Sequence, residues 1–204
     1  MIFLAGMTEL FSYALERGWR GMDDPLPGFD DDKALLFSGG SLTVALESLM
    51  ASPVTAEVKF KARRPVGIDA ASLLGSPSGA LAMHRVVWLV SDKARLVFAN
   101  TIIPIEGADA ALLDELEART QEPIGAVLGK KNITLVKENI ETGVVMCQEA
   151  ALDLSLDEKT AFVARRYLLS GRVGARTLLK AVVTEIFSPA LIKVKAPVNK
   201  AILI

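Results

Sequence analysis

Two charged residues of opposite sign sit inside stretches that read as apolar β-strands. In "LLKAVVTEIFSPALI" (178–192), a period of two places Val183, Glu185 and Phe187 on one face and Val182, Thr184 and Ile186 on the other. In "ALAMHRVVWLV" (80–90), Arg85 shares its face with Val87 and Leu89, while His84, Val86, Trp88 and Val90 take the other. A buried charge without a partner is costly, so each needs a counter-charge, solvent or a ligand. Two accounts stay open on spacing alone. Arg85 and Glu185 pair with each other or reach solvent at a strand edge, or both line a cavity whose occupant is an anion. In the second account the guanidinium fork suits a planar carboxylate. A further pair, Arg165 and Arg166 in "AFVARRYLLSG", sends one side chain to each face of its strand, and alternation does not say which points inward.

The remaining chemistry-bearing residues are few. Cys147 is the single cysteine and His84 the single histidine, which excludes an intrachain disulfide and a thiolate metal cage and leaves little for zinc. Cys147 reads as a small buried hydrophobe and His84 as structural. Asp23, Asp24, Asp30, Asp31 and Asp32 lack EF-hand spacing and read as a solvated acidic loop. Gly39-Gly40 lacks the lysine of a phosphate loop and reads as a turn leading into a helix. Lys and Arg number 23 against 24 Asp and Glu, a net charge of -1, with no basic footprint for nucleic acid. The opening "MIFLAGMTEL" lacks a basic leader, and no apolar run is long enough to span a bilayer, so a cytoplasmic protein without a membrane span is expected.

The elements that must position Arg85 and Glu185 follow from periodicity. Hydrophobic residues make up 51% of 204 positions, ample for a core. Residues 8–17 have helical spacing, and 18–33 read as a loop rich in Gly, Pro and Asp. Leu42, Ala45, Leu46, Leu49 and Met50 mark an amphipathic helix entered through Ser41. "PVTAEVKFKARR" alternates, with Val54, Ala56, Val58, Phe60 and Ala62 inward. The strands 80–90 and 95–105 form a hairpin through "SDKA". "ADAALLDELEART" and the short "EPIGAVLGK" are helices. "NITLVKENI", "VVMCQEAALDL", "AFVARRYLLSG" and "RTLLKAVVTEIF" are strand candidates. Successive strands with few crossover helices predict an α+β fold with a central, largely antiparallel sheet.

Four stretches in this order, "GGSLTVALE", "HRVVWLVSDKARLVFANTIIP", "QEPIGAVLG" and "ARRYLLSG…LLKAVVTEIFSP", resemble the chorismate pyruvate-lyase family. The resemblance covers residues 36–190 of a single domain, 1–204, with an N-terminal helix and acidic loop over 1–35 and a tail over 191–204. It implies a sheet with helices as flaps over a buried ligand cavity. It also implies removal of the enolpyruvyl group of chorismate, giving 4-hydroxybenzoate and pyruvate, with no cofactor and no metal. By position, Arg85 corresponds to the arginine that grips the aromatic carboxylate and Glu185 to the catalytic glutamate, as base or acid. Ile124 supplies a backbone contact and Leu42 a flap contact. The chain departs from the family pattern at Asn100 and Ala126, where basic residues are common. Because its own strand offers Glu185 no counter-charge, Glu185→Gln is expected to leave stability nearly unchanged and to lower turnover by roughly 10²- to 10⁴-fold. The alternative function is a non-catalytic aromatic-acid sensor or carrier of the same fold. The shortness of the segment before residue 36 counts against a DNA-binding module there and favours the enzyme.

Overall fold

Seven strands build one antiparallel sheet: β1 (Ala14–Arg20), β2 (Thr55–Pro65), β3 (Leu81–Ser91), β4 (Ala94–Pro104), β5 (Thr134–Met146), β6 (Ala161–Val173) and β7 (Arg176–Phe187). Their spatial order is β1-β5-β6-β7-β4-β3-β2, and every neighbouring pair is antiparallel. The computed structural model describes residues 14–25, 27–92 and 94–194. Six helices accompany the sheet: α1 (Lys33–Leu36), α2 (Leu42–Met50), α3 (Ile68–Leu74), α4 (Ala110–Ala118), α5 (Ile124–Gly129) and α6 (Gln148–Asp153). This is the α+β architecture that the strand-rich pattern predicts.

Alternation assigns the two faces. Register sets Arg85, Thr101, Val183 and Tyr167 abreast, and beside them Val87, Ala99, Glu185 and Arg165. On this face Leu36, Leu42 and Leu46 of α1 and α2 pack with Val87, Val163 and Phe187. Leu112 and Leu116 of α4 and Val127 and Leu128 of α5 pack with Tyr167, Leu169 and Val183. The opposite face buries Trp88, Phe98, Phe162 and Ile186 against Ala150 and Ala151 of α6, and Ala82 with Ala71 of α3. Trp88 Nε1 donates to Asp153 Oδ2 (2.8 Å), which ties the end of α6 to the sheet.

Local signals hold where they are strong. Ser41 caps α2, its hydroxyl accepting from Val44 N (3.4 Å), and Asp109 caps α4 from Leu112 N (3.1 Å). The β3–β4 hairpin turns at Asp92, which takes φ 46°, and the β6–β7 hairpin at Gly174, φ 57°.

Four expectations need correction. Residues 14–17 of the expected N-terminal helix form the start of β1, paired with β5, and residues 8–13 lie outside the described residues. The loop expected from residue 18 therefore begins after Arg20, and it contains a 3-10 turn at Asp30–Asp32. "NITLVKENI" and "VVM" are one strand, β5, while "QEAALD" is helix α6, in keeping with its Ala, Leu, Gln and Glu content. The expected inward stripes are thinner than their patterns. Leu49 on α2 is exposed, and in β2 only Ala56 of the five is buried within the strand, because β2 is an edge strand with a register shift between Val58 and Phe60. The C-terminal tail from residue 195 lies outside the described residues.

Gly171 marks how closely α5's connection packs on the sheet. A Cβ there would come 3.1 Å from Ile133 Cγ2 and 3.3 Å from Leu179 Cγ. Gly171→Val is expected to overpack this contact and to cost about 1–3 kcal/mol, read as a lower urea midpoint at unchanged slope.

Candidate functional site

The charge inside β7 has its partner on β6. Arg165 and Glu185 stand opposite each other in register, and Arg165 Nε donates to Glu185 Oε2 at 2.5 Å. Arg165 is fully buried and Glu185 nearly so. Tyr167, two residues along β6, donates its hydroxyl to Glu185 Oε1 (3.0 Å). Burial works against the Arg165 charge, but the adjacent carboxylate, with Tyr167, more than compensates and raises its pKa above the ordinary arginine value. Burial, then the Glu185 charge, push the Tyr167 phenol well above the tyrosine range, so it stays a donor. Arg165 Nη1 reaches up to the carbonyls of Leu35 (2.7 Å) and Leu36 (3.2 Å), at the end of α1. A cation at a helix C-terminus is well placed for the orphan carbonyls.

Arg85 therefore does not pair with Glu185. β4 runs between their strands, so their backbones are about two strand spacings, roughly 10 Å, apart. Arg85 is buried, and among the described residues no carboxylate makes an ion pair with it. Its Nη2 donates to the carbonyls of Thr120 (2.6 Å) and Glu122 (2.9 Å), in the loop that delivers α5, and its Nε has no partner. Burial lowers its pKa to about 10, which leaves it cationic at neutral pH. The Glu122 side chain fixes the same loop through Arg119 (3.0 Å) and Lys130 (2.6 Å).

A third cation joins this face from β5. Lys137 stands opposite Leu169, and its Nζ donates to the carbonyls of Gly40 (2.6 Å) and Ser38 (3.2 Å), which lead into α2. It lies 4.9 Å from the centroid of the Tyr167 ring. Burial first, then the nearby Arg165, lower its pKa to about 8, against the pull of Glu185. So two buried cations and one half-buried one each hold backbone carbonyls beside a covering helix, with one buried carboxylate on the same face.

The covering helices meet above this layer. Leu42, the first residue of α2, is buried in the cluster that contains Val87 and Ala99. Ile124 opens α5, whose internal hydrogen bonds begin only with Ala126 and Val127 donating to Pro123 O (3.0 and 3.1 Å). A Cβ on Gly125 would lie 3.9 Å from Ser41 Oγ, so the two helix starts are neighbours. Arg85, Glu185, Leu42 and Ile124 thus belong to one layer between helices and sheet. Arg166 points to the other face, where it pairs with Glu141 (2.7 Å) and lies over the Trp19 ring. His84 is also on that face, and Cys147 is buried there, its thiol pushed up to about 12 by burial. Asn100 stands opposite Val86 and Thr184, on the face away from Arg85. An arginine at that position would not reach this layer, so the departure at Asn100 takes nothing from it.

Residues 36–195 match the family described as "Chorismate pyruvate-lyase Rv2949c-like". The chain belongs to this family. Its fold is similar to solved effector domains of transcription regulators. The effector domain of PhnF from Mycobacterium smegmatis is 18% identical with a TM-score of 0.56, over 75% of this chain and 91% of that one. PhnF from the same organism is 18% identical with a TM-score of 0.55, over 76% of this chain and 66% of that one. The ligand-binding domain of a GntR-family regulator from Bordetella bronchiseptica is 13% identical with a TM-score of 0.53, over 67% and 83%. At these identities the likeness is one of fold. A search of curated proteins gave no match.

Within this Rv2949c-like site, spacing alone missed Tyr167 and Lys137 as neighbours of the carboxylate. It also missed the counter-charge of Glu185, because the partner comes from the next strand and not from its own. The expectation that Glu185→Gln spares stability rests on that omission. With Arg165 left buried and uncompensated, we expect Glu185→Gln to lose about 3–5 kcal/mol, as loss of one partner of a buried pair does. Adding Arg165→Met is expected to restore much of the loss, so the double-mutant cycle in urea should be strongly non-additive. A Glu185→Gln midpoint equal to wild type would show that the pair does not bear on stability.

Proposed function

We propose that the chain is a cofactor-independent lyase that converts chorismate to 4-hydroxybenzoate and pyruvate. The observation that carries this reading is Arg85: an interior guanidinium that no carboxylate neutralises, with one donor unused, in a chain of the chorismate pyruvate-lyase family. The ring carboxylate of the substrate takes the Arg85 fork in place of the loop carbonyls, an exchange of neutral acceptors for an anion that strengthens each bond. Leu42 and Ile124 close over the ring from the starts of α2 and α5.

Elimination removes the proton from the ring carbon that bears the hydroxyl. That C–H electron pair forms the last ring double bond, and the neighbouring C–O bond breaks. Enolpyruvate leaves and takes a proton to become pyruvate. Glu185 acts as the base in this scheme. Both of its observed contacts, Arg165 Nε–H and Tyr167 O–H, are donors, the set that suits an acceptor carboxylate, and lone pairs remain for the ring proton. Arg165 and Tyr167 aim the carboxylate and do not themselves meet the ring. No helix among the described residues is long and apolar enough to cross a membrane.

A second reading is favoured by the fold neighbours: binding of an aromatic acid without turnover, as suits a ligand-binding effector domain. Incubation with chorismate separates the two. Pyruvate and 4-hydroxybenzoate are expected in equal amounts, at a rate unaffected by chelator. Untouched chorismate, with 4-hydroxybenzoate still raising the melting temperature, would establish the second reading.

Either reading gives Arg85 the same task. Arg85→Lys keeps a charge but loses the fork, and we expect the affinity for 4-hydroxybenzoate to fall by about 1.5–3 kcal/mol in calorimetry. Unchanged affinity would make Arg85 a latch for the 119–123 loop and nothing more.

A further inference from the structure

The interior layer holds more positive charge than its own carboxylate balances. Arg165 is matched by Glu185, and at the outer edge Lys61 faces the Glu117 carboxylate. Arg85 and Lys137 remain, each bonded only to neutral carbonyls and, among the described residues, neither in an ion pair. They approach the layer from opposite sides, Arg85 from β3 and Lys137 from β5, with the Glu185 strand between. Two unneutralised cations on either side of one carboxylate match a ligand with an anionic group at each end.

Lys137 also has access that Arg85 lacks. It lines an open groove of about 490 Å³ together with Gly21, Met22, Asn139, Ile140 and Glu141. The groove thus borders the residue whose ammonium is held by the connection into α2. The two carbonyls that hold it, Ser38 O and Gly40 O, belong to the connection between α1 and α2, so displacement of α2 frees the ammonium and uncovers Leu42 in one movement.

We propose that Lys137 is the second carboxylate-binding residue of this site, holding the carboxylate of the three-carbon arm while Arg85 holds that of the ring. The inference rests on the aromatic-acid reading above, catalytic or not, and adds to it the preferred charge of the ligand. It also assigns the groove as the side on which the small acid enters or leaves. The groups that face the ammonium are Arg165, Glu185 and the Tyr167 ring, while Glu141 of the groove is turned to the other face and paired with Arg166. With Lys137 titrating at about 8, the hold on a second carboxylate is present below that pH and fades above it.

Two stable probes test this by calorimetry. One is 4-hydroxybenzoate, with a single carboxylate. The other is 3-(1-carboxyethoxy)-4-hydroxybenzoate, which carries a second carboxylate on a three-carbon ether arm next to the hydroxyl and, being already aromatic, cannot eliminate. Wild type is expected to prefer the dianion at neutral pH and to lose that preference as the pH rises through about 8. Lys137→Met is expected to weaken the dianion by on the order of 10- to 100-fold, the span of a charge-assisted hydrogen bond, and to leave 4-hydroxybenzoate unchanged. Lys137→Arg is expected to keep the preference and to extend it to higher pH, which gives a readout even if the methionine variant folds poorly. Equal weakening of both probes, or none, in folded Lys137→Met would overturn the assignment while leaving the aromatic-acid reading intact. A wild type that binds neither probe would overturn that reading and this inference with it.

Discussion

The buried pair between Arg165 and Glu185 is the constraint around which the rest of this face is arranged. It sits at the centre of the sheet, on adjacent strands, where neither charge can reach water. Such a pair is weak evidence for stability in itself, since its Coulomb gain is set against the desolvation of two ions. Its effect is positional. The guanidinium spans from the carboxylate to the end of α1, so the approach to α2 is referenced to the same atoms that aim Glu185. Tyr167 completes the arrangement by occupying the other carboxylate oxygen, which leaves Glu185 one orientation.

The same logic extends to the two outer cations. Arg85 fixes the loop before α5 and Lys137 the loop before α2, in both cases through carbonyl oxygens. Carbonyls satisfy the geometry of these donors without cancelling their charge. The covering helices are therefore held by contacts that leave both cations without an ion-pair partner among the described residues.

Much of this was legible in the residues. Alternation located β3, β4, β6 and β7 and placed Arg85 and Glu185 on apolar faces. The helix start at Ser41 followed from capping chemistry. The partner of Glu185 was not legible, and the reason is specific. Counting back from the Val173–Arg176 end of the β6–β7 hairpin would set Ala164 opposite Glu185. A register shift between Gly171 and Arg172 moves Arg165 into that place instead. Alternation assigns faces within a strand, but a one-residue irregularity between strands decides which residues meet. The N-terminal strand was hidden for another reason: helical spacing over 8–17 is a local preference, and pairing of Ala14–Arg20 with β5 overrides it.

Another such irregularity lies in β5, between Glu138 and Glu141, where Asn139 takes φ 54°. It works as a frame slip within one strand. On its C-terminal side Thr142 and Val144 face the Glu185 layer, and on its N-terminal side Lys137 faces the same layer, although these residues are an odd number of positions apart. An unbroken strand would have to choose: with Val144 inward, position 137 would turn to the opposite face and Glu138 would take its place. The charge that this strand offers to the interior thus depends on the backbone absorbing one extra residue at the bulge: the same sequence in an unbroken strand would present Glu138. A chain one residue shorter there would set Lys137 and Val144 an even number of positions apart and would need no bulge to present the lysine.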